Sequence, residues 1–218
     1  MDRDFDALDQ HALVPRMLHD VATPDASIRL LDRPLPAPII PRIEAWSEPP
    51  HTWPLVRLDA DLVPGGVGTD TIDLRGMMLR IPVGRMAELM ASARQLGTLH
   101  PAAVILDLTP MADVAPFGHA AWHPRHREEL DELRGAVGRP GWIDGIGSPA
   151  DAEVAAEAGL DGVIVRSAVV RHIAGPAVLE VLPEVLDTVA GMLGVYVGGP
   201  IRGGVDVFRY LAHGAEAV

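Results

Sequence analysis

The chain has 218 residues and a mass of 23.2 kDa, enough for one sizeable core, and with 48% hydrophobic against 22% charged residues it is not a disordered chain. Eighteen basic and 30 acidic residues leave a formal charge of -12, which excludes a nucleic-acid partner held by long-range attraction; the absence of Lys and Cys excludes Schiff bases, thiolate nucleophiles, disulfides and thiolate metal sites. No apolar run approaches the ~20 residues of a membrane span, and the acidic start Met1-Asp2-Arg3-Asp4 has the wrong sign for a signal peptide, so the expectation is a cytoplasmic protein with no membrane partner.

Residues 1–76 are irregular. A helix is expected over 8–18 and a strand at Pro38-Ile39-Ile40, held between prolines. The stretch 48–68 is rich in Pro and Gly, with a strand over 55–63 inside it, and Trp46 and Trp53 flank Pro49-Pro50 as packing for that loop. No part of this half has enough apolar periodicity for a core of its own, so the whole of 1–218 reads as one domain.

From Met77 the pattern is regular. Met77-Met78-Leu79-Arg80-Ile81 reads as a strand, and 84–96 as a helix with Met86, Leu89, Met90 and Ala93 on one face and Gly97 as its cap. Strands over 102–108 and 142–146 enclose a helix over 124–137. Ser148-Pro149-Ala150-Asp151 starts the next helix, with an N-cap hydroxyl, Pro in the first turn and a carboxylate at the positive end. A strand at Val163-Ile164-Val165 follows, then a helix over 179–193 that Pro183 should delay or break. A strand at 195–197, a helix over 205–213 and the opening of one more strand at Ala217-Val218 complete the series. The phrase Ala158-Gly159-Leu160-Asp161-Gly162-Val163 recurs loosely as His213-Gly214-Ala215-Glu216-Ala217-Val218. Continuously apolar strands alternating with helices on this beat predict an α/β fold, a (β/α)8 TIM-barrel-like ring. The ring is expected to be incomplete, shortened between strands 1 and 3 and ending at the start of strand 8.

The segments 12–21, 31–40, 142–152 and 201–218 together resemble the FMN-dependent 2-hydroxy acid oxidase/dehydrogenase family, which includes glycolate oxidase and lactate monooxygenase. The likeness covers most of the chain except 44–75. It implies an FMN-binding (β/α)8 barrel that oxidises a 2-hydroxy acid to a 2-oxo acid. Carried over residue by residue, it also implies losses. The family's Gln-Leu-Tyr phrase corresponds to Met78-Leu79-Arg80, and its flavin-contacting Thr and following Asp to Leu106 and Leu108. The Lys at the flavin N1 edge corresponds to Asp144, and the catalytic His to Ala168, while the substrate-binding Arg is matched by Arg171. In the Asp-Gly-Gly-Ile-Arg phrase the Asp corresponds to Gly198 and the second Gly to Pro200; Gly199 and Arg202 match. The chain begins after the family's first active-site Tyr and ends before its last-strand Gly-Arg phosphate pair.

An Ala methyl accepts no proton from a 2-hydroxyl. A carboxylate where the family has an ammonium disfavours the anionic edge of reduced flavin. The resemblance therefore implies FMN bound weakly or not at all, and a pseudoenzyme acting as a binding or scaffolding subunit. A homo-oligomer or protein partner is expected to cover the open barrel edge between the Val195 strand and the first strand. Two alternatives stand beside it: a residual FMN-dependent oxidoreductase for a small 2-hydroxy acid, and a metal protein using His119, His123 and His126, whose first two members have zinc-like spacing. Three residues keep two readings each. Arg171 is a carboxylate clamp or a locally paired mouth residue; Arg202 is an anion contact or part of a helix start; His172 is a displaced base or a surface residue.

Overall fold

Six strands lie side by side and all parallel, and the runs 103–107, 141–146 and 162–165 are buried on both faces, as a parallel sheet covered by helices requires. The computed structural model describes residues 2–14, 23, 25–42, 56–59, 74–82, 84–108, 125–167 and 175–218. In chain order these form α1 (Asp2–Gln10), the antiparallel pair β1 (Ile28–Leu30) and β2 (Arg33–Leu35), β3 (Val56–Asp59), β4 (Met77–Pro82), α2 (Met86–Thr98) and β5 (Ala103–Asp107). Then come α3 (Arg127–Val137), β6 (Gly141–Ile146), α4 (Pro149–Glu157), β7 (Gly162–Val165), α5 (Val178–Val189), β8 (Gly194–Val197) and α6 (Gly204–Ala212). The sheet order is β3-β4-β5-β6-β7-β8, each strand pairing with the next.

The last three residues act as the expected eighth strand, and they do more than begin it. Glu216 N donates to Val195 O at 2.9 Å and Val197 N to Ala217 O at 3.1 Å. Across the gap Ile40 N donates to Val218 O at 2.7 Å and Val218 N to Pro38 O at 3.0 Å. Arg57 N then donates to Pro41 O at 2.9 Å, beside an isolated parallel bridge between Arg42 and Arg57. The segment 38–42 thus serves as the first strand, and backbone hydrogen bonds run round the whole ring at this level. The open edge expected between the Val195 strand and the first strand is bridged here, because an eighth strand needs only a few residues to satisfy both neighbours.

Alternation along the strands sorts side chains into two layers. Leu79, Ile81, Val104, Leu106, Ile143, Val163, Val165, Val195 and Val197 face outward into the core shared with the helices. Met78, Ala103, Ile105, Trp142, Ile164, Tyr196 and Ala217 face inward, meeting Leu30, Leu35 and Ile40. The hairpin β1–β2 supplies Leu30 and Leu35 and so contributes to this inner packing. Trp142 and Tyr196 stack face to face inside the ring, centroids 4.0 Å apart and 14° from parallel.

Several helix limits differ from the sequence expectation. The first helix is α1, which shares only 8–10 with the expected 8–18; 11–14 are not helical, and 15–18 lie outside the described residues. Phe5, Ala7 and Leu8 dock it on the core, and its buried Asp4 accepts from Val178 N at 2.9 Å, capping α5 from a distant part of the chain. Gly97 lies inside α2, with Leu99 as the C-cap; a Cβ there would collide with the Val137 carbonyl, so the glycine permits the close approach of α2 and α3. Pro183 neither delays nor breaks α5, which buries Val178, Leu179, Val181, Leu182, Val185 and Val189; burying that face outweighs the lost N–H. The helix expected from 124 begins at Arg127.

Candidate functional site: a charged layer in the barrel mouth

Two residues beyond the apolar inner layer, the same inward positions turn polar. Met78 is followed by Arg80, Ile105 by Asp107, Trp142 by Asp144, Ile164 by Arg166 and Tyr196 by Gly198. Period-two alternation carries these side chains into the ring at the C-terminal ends of the strands, where barrel enzymes place their chemistry. Arg57 joins them from β3. Its Nη1 lies 4.0 Å from Asp144 Oδ2 on β6, and since β3 and β6 are not neighbours in the sheet, the contact must cross the interior.

Asp144 is the centre of the layer and is fully buried. Arg166 grips it with both arms, Nε to Oδ1 at 2.5 Å and Nη2 to Oδ2 at 2.9 Å. The third nitrogen of Arg166, Nη1, donates to Gly198 O at 2.5 Å. Burial works against the Arg166 charge, but the hydrogen bond and attraction to Asp144, helped by Asp107, outweigh it and raise its pKa. Arg80 pairs with Asp107 and also stands 4.0 Å from Asp144. The sheet ladder shifts register between Asp144 and Ile146, and such a bulge re-aims the strand where Asp144 turns inward. Gly198 is a fitted part of the arrangement. A Cβ at that position would lie 2.7 Å from Arg166 Cζ, so only glycine leaves room for the guanidinium.

A second charged cluster sits where β8 leads into α6. Arg202 donates from Nη2 and Nη1 to Asp9 at 2.7 and 3.0 Å, and from Nε and Nη2 to Asp206 at 3.0 Å each. Every nitrogen of its guanidinium therefore meets a carboxylate of the chain itself, and the Phe5 ring lies 4.5 Å from Cζ. Asp206 is buried and also accepts from Arg202 N at 2.9 Å and Arg209 Nη1 at 3.0 Å. The Arg202 hydrogen bonds hold its carboxyl at about 2, well below the usual carboxylate range.

A model of the FMN-dependent dehydrogenase family matches residues 83–218. The chain belongs to that family. A peroxisomal (S)-2-hydroxy-acid oxidase of Oryza sativa subsp. indica is 38% identical over 114 residues, covering 51% of this chain and 31% of the relative. 2-Hydroxyacid oxidase 1 of Mus musculus is 37% identical over 92 residues, 42% of this chain and 25% of the relative. The chain spans about a third or less of the length of these curated relatives. Among solved structures, mandelate oxidase with 3,3-difluoro-2-hydroxy-3-phenylpropionic acid has a TM-score of 0.73 at 22% identity, covering 100% of this chain and 74% of that one. Mandelate oxidase with benzoyl-formic acid gives 0.73 at 22%, covering 97% and 72%. These likenesses show the barrel fold.

Within this flavin-dependent family the positions sort as follows. Asp144, at the expected Lys position, is no bare carboxylate, because Arg166 neutralises it. Gly198, at the expected flavin-binding Asp, gives its space to Arg166. Arg80, at the expected Tyr position, faces inward and pairs with Asp107. On β5 Leu106, at the expected Thr position, packs outward against the helices, while Ile105 and Asp107 face the interior. Gly199 lies under Tyr210, and Arg202 is engaged by Asp9 and Asp206, which favours its helix-start reading. Ala168, Arg171, His172, His119, His123, Trp46 and Trp53 fall outside the described residues. His126 is the residue before α3, its N donating to Glu129 Oε2 at 3.3 Å, and no cluster of three metal-ligating side chains occurs among the described residues. Among the described residues no helix is long and apolar enough to cross a membrane.

The sequence reading missed Arg57, Asp107 and Arg166 as site residues. Their signal was available: charged residues at alternate positions of otherwise apolar runs, which a ring can bury only as partners of one another.

Proposed function

We propose that this chain is a degenerate homologue of the FMN-dependent 2-hydroxy acid oxidoreductases, without oxidase activity, that acts as a binding or scaffolding subunit in the cytoplasm. The observation that carries this is Arg166 locked across Asp144 and Gly198. The residues present do not fit FMN. The resemblance expects an ammonium and a carboxylate at these two places. Instead Asp144 has both oxygens committed to Arg166, and a guanidinium fills the space over residue 198. Arg202, the expected anion contact, gives four of its five N–H donors to Asp9 and Asp206, so its charge is already met by two carboxylates of the chain. Since the closed level of the ring removes one reason for a partner, a homo-oligomer or partner protein belongs to the subunit role rather than to an unsatisfied edge.

The excess of guanidiniums over carboxylates among the described mouth residues favours a second reading, a residual FMN-dependent oxidoreductase acting on a small 2-hydroxy acid. The purified full chain decides between them. The proposal expects no flavin absorbance near 370 and 450 nm (approximate positions for a flavin held in a site) and no turnover of lactate or glycolate with added FMN. Bands at those positions that bleach with lactate would overturn it. A metal site on the His119 loop would instead show as stoichiometric metal that His123→Ala removes. Sedimentation on dilution tests the partner: a folded monomer at nanomolar concentration removes that element.

A further inference from the structure

The mouth layer carries three guanidiniums, Arg57, Arg80 and Arg166, against two carboxylates, Asp107 and Asp144, among the described side chains. Pairing is uneven. Arg80 has Asp107, and Arg166 holds Asp144 with two hydrogen bonds. Arg57 is left with the same Asp144 Oδ2 at 4.0 Å, beyond hydrogen-bond reach, and that oxygen is already taken by Arg166 Nη2. The Arg57 side chain is only 12% exposed, and its buried Nε–H meets no acceptor. A buried donor and charge in this state cost free energy that a ligand can recover.

We propose that the barrel mouth binds a small oxyanion, a carboxylate or a phosphate group, on the guanidinium of Arg57. A guanidinium fork presents parallel N–H groups that match two oxygens of either. The anion would supply the missing counter-charge between Arg57 and its cationic neighbours. The electrostatics agree: burial most of all, then Arg166, Arg80 and Arg42, bring the Arg57 pKa down to about 10, with Asp144 only partly offsetting them. The site is built from β3 and does not use Arg202, whose guanidinium meets Asp9 and Asp206. The inference rests on the reading that FMN does not fill the mouth.

Thermal unfolding and calorimetric titration of the full chain test it, with sodium phosphate and sodium acetate as probes and sodium chloride at matched ionic strength as control. Saturable binding of at least one probe is expected, with Tm raised by about 5 °C at a hundred times Kd. Which probe binds identifies the group recognised. In Arg57→Met the shift should vanish, while Tm without added anion stays at or above that of the parent chain, because a buried cation only partly offset by Asp144 has been removed. A merely structural Arg57 would do the reverse, lowering Tm without altering any anion response. Arg57→Lys, which keeps the charge but loses the fork, should bind at least tenfold more weakly. The inference is overturned if neither probe binds the parent chain, or if Arg57→Met keeps the shift. If FMN itself binds and displaces the probe, the proposed function fails; if neither FMN nor a probe binds, only this inference does.

Discussion

The two charged clusters at the positions that the resemblance assigns to the cofactor differ in how they are built. At the barrel axis Asp144 and Arg166 pair with one another, and Gly198 leaves room for the guanidinium. At the start of α6 the expected Arg202 is present, yet every nitrogen of its guanidinium meets Asp9 or Asp206. A retained side chain is therefore no guide to a retained role, and a replaced one is not simply a loss. In both places the charges are met by partners within the chain. Among the described mouth residues Arg57 departs from this pattern.

The comparison breaks most readily at the axis. Asp144→Ala leaves Arg57, Arg80 and Arg166 with a single described carboxylate, Asp107. It should cost about 3–5 kcal/mol in urea unfolding, the usual scale for removing one partner of a buried pair. Replacing Asp144 by Leu and Arg166 by Met together should recover a substantial part of that loss, since the pair has a large desolvation cost. A double variant as unstable as the single one would mean the pair does not act as a unit. Gly198→Ala comes next. Its methyl displaces a guanidinium tip held by three hydrogen bonds, for an expected loss of about 1–2 kcal/mol, where an exposed turn glycine with an ordinary backbone would show none.

The α6 cluster should respond more weakly and with a pH signature. A carboxyl whose folded pKa lies below its unfolded value stabilises the fold above the unfolded pKa, and that contribution disappears as the pH falls through the folded one. For Asp206 the window runs from about pH 4 down to about pH 2, and Asp206→Asn should flatten this part of the stability–pH curve. Asp9→Ala is the smallest effect, within the scatter of a urea unfolding measurement, because the Asp9 side chain is 57% exposed and salt screens the pair.

Much of the barrel was legible in the sequence. Apolar runs such as 102–108 and 142–146, and the repeated junction at Gly159 and Gly214, follow from local pattern alone. What escaped was set by tertiary contact. Asp-rich α1 looks unfavourable as a helix until Phe5 and Leu8 find the core and Asp4 finds the start of α5. Pro183 looks like a break until the face it interrupts is seen buried. The site was half legible. The resemblance pointed to Asp144, Gly198 and Arg202 one at a time, but partnership is a property of the ring. Nothing in the order of the residues says that Arg166 reaches back to Asp144 across 22 positions or that Arg57 crosses the barrel to the same carboxylate.

The most direct measurement of the central claim is a fluorescence titration of FMN with the purified full chain. If the proposed function holds, FMN emission stays unchanged up to a large excess of protein, because the Asp144–Arg166 ion pair over Gly198 stands where the resemblance expects the flavin contacts. Saturable quenching at one FMN per chain would contradict it.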